Sequence, residues 1–76
     1  MQTLDSIDVG NTVRVKNLKN DNPSLRRRLL DMGITPDAKI TYVRSAPLGD
    51  PMELRVRGYS LTIRKSDASY VECEVL

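Results

Sequence analysis

Prolines at 47 and 51 and a glycine at 49 stop any regular element from running through Ala46-Pro47-Leu48-Gly49-Asp50-Pro51. The residues on both sides read as β-strands, so this segment connects two strands. A plain hairpin needs only about two turn residues, commonly Asn-Gly or Gly-X. This connection is longer, is stiffened at both ends and carries an apolar residue, Leu48, at its tip. One reading is a rigid turn that sets strand register and restricts the unfolded chain. The other is a preordered contact surface, which loses little conformational entropy when a partner docks.

The 76 residues are read as a single domain, 1–76. A domain of this size buries only about 60% of the surface its unfolded chain exposes, which leaves one thin core and no deep cleft. With no Phe, no Trp and three Tyr, that core is aliphatic, as suits a small barrel. There is no His, and no Ser or Cys stands beside an evident base, so the residues do not describe an enzyme. A net charge of +2 does not by itself imply nucleic acid. The lone Cys73 excludes an internal disulfide and fits a reducing compartment. The N-terminus lacks a signal peptide's basic and apolar regions, and nothing approaches the roughly 20 apolar residues of a membrane span. The expectation is a complete cytoplasmic domain with no membrane insertion.

Along the chain, Leu4, Ile7 and Val9 anchor a short lead, and Gly10-Asn11 turns into a strand in which Val13 and Val15 alternate with Arg14 and Lys16. Asn22-Pro23 opens a helix with an N-cap and a proline at the first helical position; Gly33 closes it as a left-handed cap. Leu25, Leu29 and Met32 share the buried face, Leu30 lies towards its edge, and Arg27 and Asp31 face out. Residues 38–45 form the next strand. Residues 52–57 and 60–65 form a hairpin; with Gly58-Tyr59 as its loop, Val56 opposes Leu61, Leu54 opposes Ile63 and Glu53 opposes Arg64. Residues 66–69 read as one helical turn capped by Ser66. In the last strand, residues 70–75, Val71, Cys73 and Val75 point inward and Glu72 and Glu74 outward. Opposite charges on the outer faces favour pairing this strand with the first, which closes the sheet and hides its edges. The expected fold is mainly β: a small SH3-like five-stranded barrel with one short α-helix between the first and second strands.

Four segments carry a family resemblance: Arg28-Leu29-Leu30-Asp31-Met32-Gly33-Ile34-Thr35-Pro36, the 46–51 connection, Arg55-Val56-Arg57-Gly58-Tyr59, and Leu61-Thr62-Ile63-Arg64-Lys65. Together they resemble the ferrous-iron transport protein A (FeoA) family. The family usually has Pro-Gly where this chain has Pro36-Asp37; Asp is among the few residues that tolerate a positive φ. The resemblance implies a small cytosolic accessory protein of ferrous-iron uptake. Its implied partner is ferrous-iron transport protein B, a membrane transporter with a cytosolic GTP-binding domain. It also leaves a runner-up, because the same barrel occurs as the terminal domain of iron- and manganese-dependent transcriptional repressors.

The expected contact surface combines Pro47, Leu48, Gly49, Asp50 and Pro51 with the helix edge at Arg27 and Leu30 and the hairpin tip at Tyr59. The plainer reading of Arg26, Arg27 and Arg28 is a solvated helix surface whose stems cover the core edge. An arginine finger acting on the partner's nucleotide finds no independent support in the residues. No catalytic residue, metal ligand or cofactor is assigned: Cys73 falls on an inward face, and the acidic residues form no recognisable ligand cluster.

Overall fold

The computed structural model describes residues 2–76. Six strands form one antiparallel sheet: β1 (Gln2–Thr3), β2 (Thr12–Leu18), β3 (Lys39–Ser45), β4 (Met52–Val56), β5 (Tyr59–Ile63) and β6 (Val71–Val75). Their order is β1-β6-β2-β3-β4-β5. Helix α1 (Pro23–Asp31) joins β2 to β3, and the four-residue α2 (Lys65–Ala68) joins β5 to β6. A single 3-10 turn, Leu4–Ser6, follows β1.

Pairing of the last strand with the first long one forms as expected, with Val13 opposite Val75 and Val15 opposite Cys73. On the outer face Arg14 stands opposite Glu74, and Lys16 reaches the same carboxylate at 3.5 Å. The barrel nevertheless does not close, and it has six strands rather than five. The added strand β1 occupies the other edge of β6, so β6 has no free edge to offer β5. The same two residues move the helix from between the first and second strands to between β2 and β3.

One face of the curled sheet is buried against α1, the lead segment and α2, around Val13, Val15, Leu18, Ile40, Leu54, Val56, Val71 and Cys73. Among the described residues no charged or polar one is buried with them. Each such aliphatic side chain contributes about 1.5–3 kcal/mol on leaving water. Leu4 and Ile7 join this core as anchors, whereas Val9 and Val75 are exposed; Val75 stands one residue from the chain end.

Helix α1 begins and ends as its sequence signals require. Asn22 Oδ1 accepts a hydrogen bond from the Leu25 amide at 3.1 Å, and Pro23 sits at the first helical position. At the other end Gly33 has φ +95°, its N–H reaching the Leu30 carbonyl and that of Ile34 the Leu29 carbonyl, each at 3.0 Å. This is the Schellman arrangement, completed by the buried pair Leu29 and Ile34. The following turn places Asp37 at φ 71°, the positive value anticipated for the Asp that replaces glycine.

The β4–β5 hairpin turns one residue earlier than expected. Arg57 and Gly58 both have positive φ, 51° and 84°, as a two-residue type I′ loop demands, and Tyr59 becomes the first residue of β5. Leu54 therefore opposes Leu61 and Met52 opposes Ile63. The register slips by two residues, one full strand period, so the same side chains remain on the same faces. Glu53 now stands opposite Thr62 and pairs with Arg44 at 2.7 Å instead of Arg64.

Tyr59 fastens this hairpin to the helix: its hydroxyl donates to the Met32 carbonyl at the end of α1. A Cβ on Gly33 would collide with that hydroxyl, so glycine is required there for two separate reasons. Gly33→Ala is expected to destabilise the fold by about 1–3 kcal/mol in urea denaturation, and Tyr59→Phe by about 1 kcal/mol. In the Tyr59→Phe background the Gly33→Ala loss shrinks, because one of its two causes has gone.

Candidate functional site

The 46–51 connection is a braced turn. The Gly49 N–H closes it on the Ala46 carbonyl at 2.7 Å, with proline second and glycine fourth, as a type I turn favours. The Ala46 N–H donates to the Pro51 carbonyl at 3.1 Å across the base. Leu48, at the tip, is 97% exposed. Asp50 points back into the protein: its Oδ1 accepts from the Lys65 amide at 3.0 Å, at the first residue of α2. That carboxylate does the capping expected of Ser66, and α2 starts one residue earlier than expected; the Ser66 carbonyl instead receives the Ser69 hydroxyl at 2.6 Å.

The expected contact residues do not form one patch. Pro51 lines a cleft with Arg28, Leu29, Met32, Arg64 and Asp67, where Arg28 reaches Asp67 at 3.5 Å. Arg27 and Leu30 lie in a separate open groove along α1, with Asn20, Pro23, Arg26 and Asp31. Tyr59 is half-exposed but already committed to Met32, and its neighbour Arg57 donates to the Thr35 hydroxyl at 3.2 Å. Arg28 is thus the α1 arginine that shares a cleft with the loop's Pro51. No local pattern marks it, because its partner Asp67 is 39 positions away in sequence.

Cys73 is wholly buried; loss of water pushes its thiol pKa up, and the nearby Asp5 carboxylate adds to the rise. Arg44 is held still more firmly protonated by its hydrogen bond to Glu53 and by that carboxylate's charge. Among the described residues no three His, Cys, Asp or Glu side chains are grouped to hold a metal ion. Among the described residues no helix is long and apolar enough to cross a membrane.

The FeoA domain model matches residues 2–75. The chain belongs to the FeoA family. A curated relative, the Fe(2+) transport protein A/Fe(2+) transporter FeoB fusion protein of Porphyromonas gingivalis, is 39% identical over 51 residues. That match takes in 67% of this chain but only 6% of the relative, in which the two proteins are parts of one polypeptide. The solved FeoA-like protein from Clostridium acetobutylicum is 39% identical, with a TM-score of 0.92 over 99% of this chain and 86% of its own. Two more distant likenesses show the fold alone. One is a Stenotrophomonas maltophilia FeoA described as a procaryotic SH3 domain protein (22% identity, TM-score 0.84, covering 97% of this chain and 91% of that one). The other is a manganese-dependent transcriptional repressor (15% identity, TM-score 0.90), of which this chain matches 41% while 99% of its own length is covered. The SH3-like, mainly β architecture therefore stands, as an open six-stranded sheet.

Two outcomes follow from these contacts. Asp50→Ala removes the α2 cap and is expected to cost about 0.5–2 kcal/mol in urea denaturation. Cys73 is expected to resist iodoacetamide at pH 8 in the native protein and to react on unfolding, because a buried, protonated thiol is a poor nucleophile. The raised thiol pKa also favours the folded state below the ordinary thiol pKa. That contribution is lost as pH climbs through the folded value, so thermal stability falls on the alkaline side.

Proposed function

We propose that this chain is a small cytosolic accessory protein of ferrous-iron uptake. It acts by protein–protein contact with the membrane ferrous-iron transporter that carries a cytosolic GTP-binding domain, ferrous-iron transport protein B. The observation that carries this reading is the fusion relative, where a homologous segment and a Fe(2+) transporter share one polypeptide. Fusion holds two modules at high effective concentration, which is useful when they must touch. The chain's own chemistry suits docking: an exposed leucine stands at the tip of a braced turn. A turn ordered before binding gives up little entropy on docking, so one apolar tip can contribute usefully.

The runner-up, a regulatory domain of a metal-dependent transcriptional repressor, draws on the shared fold with the manganese-dependent repressor. It needs a DNA-binding region beside this domain. A direct test of the leading reading uses Leu48→Arg, which leaves the core untouched. Its circular dichroism and melting are expected to match the parent. Capture by the transporter's cytosolic region is expected to weaken about tenfold or more, and cellular ferrous-iron uptake to fall with it. Capture and uptake equal to the parent would remove Leu48 from the contact.

A further inference from the structure

Helix α1 has a second organised side. Its first, Leu25 and Leu29 with the partly buried Met32, packs into the core. Pro23, Arg26, Arg27, Leu30 and Asp31 follow the i, i+3, i+4, i+7, i+8 spacing of another helix stripe. That stripe lines an open groove of about 670 Å³. Its arginines outnumber its one carboxylate. The ion pairs among the described residues engage Lys16, Arg28 and Arg44, leaving Arg26 and Arg27 free. The Arg26 Nε is moreover buried with no hydrogen-bond partner. A donor removed from water without an acceptor is a standing penalty, larger for a charged group. The groove lining carries two arginines against one carboxylate, and Leu30 and Pro23 put apolar surface beside them.

We infer that this groove binds an acidic segment of a protein partner: a Glu or Asp carboxylate on Arg26 and Arg27, with an adjacent apolar side chain against Leu30 and Pro23. This deepens the docking function proposed above by naming the chemistry of the partner's side. The terminal nitrogens of the Arg26 and Arg27 guanidinium groups offer a carboxylate the two-pronged geometry in which guanidinium–carboxylate pairs are strongest. An acidic peptide fits better than an anionic membrane. A membrane surface calls for about four to eight cations on one face, and here Asp31 lies within the groove of a chain whose net charge is only +2.

The full chain, labelled with ¹⁵N, is titrated with capped Glu-Glu-Leu-Leu and with capped Gln-Gln-Leu-Leu. The acidic peptide is expected to shift amides in residues 20–31, and the amide version to leave them in place. Arg26→Gln/Arg27→Gln is expected to abolish the shifts. Arg26→Lys, which keeps charge and stem but loses the fork, is expected to weaken them about tenfold. Equal response to both peptides, response elsewhere on the surface, or no response overturns the inference. In parallel, the transporter's cytosolic region is used to capture the parent and the double variant, with a loss of about tenfold or more expected. Undiminished capture of the double variant overturns the groove while leaving transporter docking intact. Failure to capture even the parent, with the peptide response retained, overturns transporter docking and leaves the groove. Arginine-dependent binding to phosphatidylglycerol vesicles in place of the peptide reassigns the groove to a membrane surface and overturns the inference.

Discussion

The fold depends on how β5, an edge strand paired only with β4, is held along its open side. An unpaired edge exposes a row of backbone donors and acceptors and invites fraying or pairing with another chain. Here side chains fasten both ends. Tyr59, the first residue of β5, donates to the last turn of α1, and Asp50 accepts from Lys65, two residues beyond the end of β5. Each tie joins segments far apart in sequence, so helix, hairpin and 46–51 turn hold one another in place. With β6 occupied on both edges by β1 and β2, these two contacts substitute for the ladder that barrel closure would have supplied.

That arrangement explains which parts of the structure were legible in the residues. Local rules with a single physical solution were readable. The Asn22 cap, the Gly33 termination, the positive φ at Asp37 and the inward faces of β2, β4 and β6 up to Cys73 all follow from spacing and residue type. Strand register was readable only modulo two. Hydrophobic alternation excludes a one-residue slip but is blind to a two-residue slip. The decision fell to the turn, where Arg57 at φ 51° takes a position more often held by Asn, Asp or Gly. The open edge was not readable, since a two-residue strand carries too little pattern to be recognised.

The candidate site was legible to a lesser degree, for a related reason. Exposure at Leu48 follows from an apolar residue placed at the tip of a proline-bounded turn. Asp50 and Tyr59 occupy equally prominent sequence positions, yet both are engaged within the molecule. A polar side chain in a turn serves a backbone amide or a partner equally well on paper; only the position of α2 distinguishes the two. The orphaned Arg26 donor is invisible in one dimension, because it arises from how the guanidinium lies against its own surroundings.

The docking proposed above draws on two features, the exposed Leu48 and the α1 groove. A standard stable interface buries roughly 800 Å² per partner. One exposed leucine and one shallow basic groove each support weak binding. Two weak contacts on a rigid body combine favourably if the partner presents both complementary features at a fixed spacing, because the second forms at high effective concentration once the first is made. The ties at Tyr59 and Asp50 hold that spacing, one anchoring the helix and the other the turn. For a separate chain, the rigidity of the frame between the two surfaces becomes part of the binding energy. Under the docking proposed above, a change that loosens Tyr59 or Asp50 weakens binding without touching either contact.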